Sequence, residues 1–183
     1  MTMKFSNLSY LALSVALLSQ PLIAQEQKPK PAGDAAPMMV MDRPTFVSVV
    51  SSANEFEIKS SELALQNAAS ADIKDAAKMI IADHQKAGEK LKGILEKKGE
   101  PLSSPIVLSP KHQKMLDQLQ AAKGKDFDTL YLDMQVQAHL EAIALFRTYA
   151  ESGDDQTVVG FAKETLPSLE KHLSHVKMLV AKH

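Results

Sequence analysis

Apolar residues recur at helical spacing through four long stretches of this 183-residue chain. That period commits each stretch to an amphipathic helix with one face to bury. Tryptophan is absent and aromatic residues make up only 5 % of the chain. Alanine, leucine, lysine, glutamate and glutamine are abundant, a balance that favours helix over sheet.

The spacing predicts a first helix over residues 44–69, with Pro44 in its first turn and Asp42 as a cap. Phe46, Val50, Ala53, Ala64 and Ala68 mark its inner face. A second helix follows Ser70 and ends at Gly99, with Ile73, Ala77, Ile80, Leu91 and Leu95 inward. Pro101, Pro105 and Pro110 then break the chain. Ser109-Pro110 starts a short helix that Gly124 is expected to end. A third long helix runs over residues 126–151, carrying Leu132, Val136, Ile143, Phe146 and Ala150. The fourth follows Gly153-Asp154 and carries Val158, Phe161, Leu169, Val176 and Leu179. Pro167 should kink or split it.

Helices joined by short links pack antiparallel, whereas residues 99–125 are long enough to cross the length of a bundle. The expected class is all-α: a ferritin-like four-helix bundle with one extra short helix in the connection between helices two and three.

The N-terminus reads as an export signal. Lys4 precedes an apolar run over residues 8–18, and Ala24 offers a small residue before the cut at Gln25. Residues 1–24 are therefore expected to be removed, and the run is too short to hold the chain in a bilayer. Residues 25–43, with Pro29, Pro31, Pro37 and Gly33, read as a disordered linker. Met38, Met39 and Met41 close it, either as a copper-binding cluster or as an apolar tail that docks on the bundle. The bundle domain is expected over residues 44–183. Losing Lys4 and no acid shifts the formal charge from −1 to −2. No basic stripe gives a footprint for nucleic acid. There is no cysteine for a lipid anchor or a disulfide.

Four ionisable residues stand where apolar ones are expected. Glu57, His84, His139 and His172 fall on or beside the apolar stripes of four different helices, near mid-length. Mid-helix residues meet whichever way the helices run. His172 is read at the flank of its stripe. Ala53, Ser60, Ala87, Gly88 and Ala142 leave room around the group. Buried ionisable groups need partners. The four form either a hydrogen-bonded polar core completed by Gln135 and the serines, a site for zinc, copper or iron, or a site for another ligand. Ile81 and Leu169 stand where the Glu-x-x-His pairs of a di-iron bundle would put glutamate. Asp83 points about a quarter turn away from His84, and His112 carries no assigned role. Phosphate loops, nucleophile elbows and Ser/His/Asp arrangements are missing.

Glu57-Ile58, Met79-Ile80 with Asp83-His84, Phe127-Asp128 with Tyr131, His139 with Phe146, and Leu166-Pro167 with Leu169 and His172-Leu173 follow one another in a set order. Together they resemble the exported bacterial domain-of-unknown-function 4142 family over residues 45–180. The resemblance implies a ferritin-like bundle and a periplasmic or envelope location, and no established reaction. The leading expectation is a non-enzymatic periplasmic protein with a transition-metal ion at Glu57, His84, His139 and His172. The alternatives are a structural or stress-related interaction module with a purely polar core, and a metal-dependent redox enzyme. The sequence names no protein partner.

Overall fold

Asp42 starts the first helix by accepting the Thr45 backbone N–H at 2.8 Å, with Pro44 in the first turn. A computed structural model describes residues 41–183. The signal, the linker up to Val40, and Met38 and Met39 lie outside the described residues. Met41 packs against the apolar core.

The described helices are α1 (Arg43–Asn67), α2 (Ala71–Glu96), α3 (Pro110–Ala121), α4 (Gly124–Ser152) and α5 (Gln156–Val180). The four long ones form a square in which α1 borders α2 and α4, and α5 borders the same two. Short links make α1–α2 and α4–α5 antiparallel hairpins. Arg43 at the start of α1 pairs with Glu100, just beyond α2, and with Asp155 at the start of α5. At the opposite end, Asp128 of α4 accepts the N–H groups of Ala69 and Ser70 at 2.9 and 3.0 Å. The connection over residues 97–123 therefore runs the length of the bundle, and α3 packs on α1 and α4 along the way. This is the ferritin-like arrangement.

Two details differ from the expected elements. Gly124 opens α4 instead of ending α3, at φ +58°, a left-handed conformation that suits glycine between two abutting helices. Pro167 lies inside α5 without splitting it. Its neighbours Leu166 and Leu169 pack into the core, and tertiary packing outweighs one missing backbone bond.

The core has two apolar halves. One gathers Phe56, Ile73, Ile80, Leu119, Phe127 and Tyr131. The other gathers Phe46, Leu91, Phe146, Tyr149, Phe161 and Leu169. Phe46 stacks on Tyr149 with ring centres 4.0 Å apart. Between the halves lies a layer of buried polar side chains. No described helix is long and apolar enough to cross a membrane.

Candidate metal centre

His84, His139 and His172 project into that layer from α2, α4 and α5. All three are buried, and one nitrogen of each lies within 4.8 Å of the others. Each ring sits on the apolar stripe of its helix, so packing the helices brings the rings together. Ring centres are 5.3–5.8 Å apart.

The outer hydrogen bonds decide which nitrogens are available. His139 Nδ1 lies 2.9 Å from the Gln135 carbonyl oxygen, which only accepts, so Nδ1 carries the proton. His172 Nε2 lies 2.9 Å from an Asp83 carboxylate oxygen and donates to it. His84 Nδ1 lies 3.1 Å from the Asn54 side-chain oxygen and donates there. A neutral imidazole has one N–H. The inner nitrogens, Nε2 of His84, Nε2 of His139 and Nδ1 of His172, therefore keep bare lone pairs. Two of these face each other at 3.3 Å. The third has no hydrogen-bond partner among the described residues.

Facing lone pairs repel, and a proton or a metal cation between them removes the conflict. Burial works against the proton. It pushes His84 well below the usual imidazole range, helped by the charges of His139 and His172. It also lowers His172, against the opposing pull of the Asp83 hydrogen bond. The geometry suits a cation. Two nitrogens bound at about 2.0–2.1 Å to one tetrahedral ion lie about 3.4 Å apart, close to the spacing of the 139–172 pair. Metal-bound histidines also donate their outer N–H to a carboxylate, a carbonyl or water, the pattern already present on all three rings.

Glu57, the fourth residue singled out from the sequence, stands beside this group and outside it. Its Oε1 is 3.7 Å from His139 Nδ1, the outer nitrogen, and its Oε2 has no partner among the described residues. Burial raises its pKa, opposed by His139 and then by a hydrogen bond from Gln135. Gln135 also donates to Ser60 at 3.2 Å, and Ser61 pairs with Tyr131 at 2.9 Å. His172 is 1 % exposed, not at the flank. The α5 face that carries it turns fully onto α2 and α4.

Three further residues take parts that periodicity did not assign them. Asp83 points off the stripe of α2, yet its carboxylate reaches sideways to His172 on α5. Asn54 is one small polar residue among several on α1. Gly88 is one turn beyond His84, and a Cβ there would lie 2.9 Å from the Asn54 side-chain nitrogen. Glycine at 88 is what lets Asn54 occupy its place against His84. His112, also without a sequence signal, bonds Ser52 at 2.7 Å and stacks on Phe56, fastening α3 to α1.

A cavity of about 620 Å³ borders all three histidines and Glu57. Ala53, Ala87, Gly88 and Ala142 make room for it, and the connection over residues 102–106 forms part of its rim. Lys90 and Glu164 pair across its α2–α5 side.

The domain of unknown function DUF4142 matches residues 28–179. The chain belongs to that family. Three solved structures resemble this DUF4142 protein in fold. Copper(II)-bound CopM has 18 % identity and a TM-score of 0.67, over 79 % of this chain and 99 % of its own. A DUF305 fragment from Deinococcus radiodurans has 14 % identity and a TM-score of 0.66, over 80 % and 97 %. A DUF305 protein from Streptomyces coelicolor has 15 % identity and a TM-score of 0.64, over 75 % and 89 %. At such identities the likeness is one of fold. No curated protein matches the DUF4142 sequence.

Proposed function

We propose that this protein binds one transition-metal ion through His84 Nε2, His139 Nε2 and His172 Nδ1. The observation that carries the reading is the set of outer acceptors. Gln135, Asp83 and Asn54 each take an N–H and leave the inner lone pairs turned toward one another. Imidazole donors favour copper and zinc, and the fold neighbour CopM was solved with copper(II). Glu57, 3.7 Å from the outer nitrogen of His139, is placed to tune that ligand. The N-terminal signal supports a periplasmic location, where the protein would hold or buffer the ion.

The test is a titration of metal-stripped protein with copper(II) and zinc(II), followed by calorimetry and elemental analysis. One equivalent is expected, with affinity lost in the His84→Ala, His139→Ala and His172→Ala variants. Metal should raise the thermal midpoint, because a preformed site binds only the folded chain. Failure to bind, or binding indifferent to all three substitutions, would leave the polar layer with a purely structural role.

A further inference from the structure

The three-histidine group supplies three donors from three helices, and no fourth carboxylate or histidine joins it among the described residues. An ion held by three protein ligands keeps one position for an outside molecule. The cavity of about 620 Å³ touches all three histidines, so that position has space beside it. Its volume far exceeds what one water or one small anion fills.

The walls define what would enter. Above the histidines the cavity runs between Leu91, Phe146, Phe161 and Leu169, all buried core residues. Small residues on three helices, Ala53 and Ala87 with Gly88 and Ala142, keep those walls apart. The remaining lining carries charges of both signs, with Lys90 tied to Glu164 and with Glu55, Lys86, Glu89 and Lys92 beside them.

We propose that the cavity is a binding site for a molecule with an apolar body and a single lone-pair donor at one end. The donor completes the coordination of the ion, and the apolar body lies among Leu91, Phe146, Phe161 and Leu169. This rests on the metal reading above.

Imidazole and 4-phenylimidazole are suitable probes, because they share a donor and differ by one apolar ring. The protein is loaded with cobalt(II), whose visible bands report the ligands around it, and each probe is titrated at constant bound cobalt. Both probes should shift the bands. The phenyl compound should half-saturate at a concentration at least about tenfold lower, as burial of an aromatic ring predicts. Ala142→Leu, which narrows the cavity, should shrink that difference while cobalt still loads. Loaded cobalt that ignores both probes would overturn the proposal by showing a closed coordination shell. Equal half-saturation by both probes would overturn it by showing that the apolar body gains nothing. If cobalt(II), copper(II) and zinc(II) all fail to load, the metal reading itself is refuted together with this one.

Discussion

Replacing His84 with leucine removes one buried titrating group and leaves the others in place. In the folded protein His84 is held well below its ordinary pKa, chiefly by burial. In the unfolded chain it titrates near 6.5. A group whose folded pKa is depressed in this way contributes no penalty above the unfolded value. As pH falls through about 6.5, the unfolded state takes up a proton that the folded state refuses, and stability is lost. While the folded imidazole stays neutral, the loss between pH 7.5 and 5.5 amounts to about 1.4 kcal/mol. His84→Leu lacks it. Subtracting the two curves cancels the contributions of Glu57 and His172, which titrate in both proteins. Urea denaturation of metal-stripped wild type and His84→Leu, followed by circular dichroism across this range, measures the difference. The variant should gain about 1.4 kcal/mol on the wild type between pH 7.5 and 5.5. Parallel curves would mean that His84 takes up its proton in the fold as readily as in the unfolded chain. The depression of its pKa by burial would then be refuted.

Four other outcomes are expected. Asp83→Ala removes the acceptor that orients His172 and should weaken metal binding about 10–100-fold in calorimetry. Gly88→Ala adds a Cβ 2.9 Å from Asn54; it should weaken metal binding about tenfold, while the better helix propensity of alanine, worth about 1 kcal/mol, offsets strain in the thermal midpoint. Asp128→Ala strands the Ala69 and Ser70 N–H groups and should cost about 2–3 kcal/mol in urea denaturation. N-terminal sequencing of protein recovered from a periplasmic fraction should begin near Gln25, whereas Met1 in a membrane fraction would refute the export signal.

Much of the fold was legible because each helix carries a full apolar stripe and a local stop or start signal. Asp42, Ser109 and Asp155 accept the first-turn N–H groups of α1, α3 and α5. Mid-helix height and inward phase also sufficed to bring His84, His139 and His172 into one layer. Their orientation was not legible. Whether a ring offers a lone pair depends on Asp83, Asn54 and the Gln135 carbonyl. Two of these are residues on other helices, and the third is backbone. Helical phase also put Glu57 in the right layer without revealing that it meets the outer nitrogen of His139. Gly124 misled for the opposite reason, and Pro167 did not split its helix. Local rules end helices at such residues, and here the packing of α4 and α5 overrides them.

The long connection over residues 97–123 separates the two hairpins whose docking completes the polar layer. Each hairpin, α1–α2 or α4–α5, forms from contacts close in sequence and can condense early. Neither contains the histidine group. His84 and its partner Asn54 belong to the first hairpin, while His139 and His172 belong to the second. The group comes into being only when the two hairpins dock. An ion bound there would act as a rivet between two independently zippered halves, slowing their separation more than it speeds the formation of either.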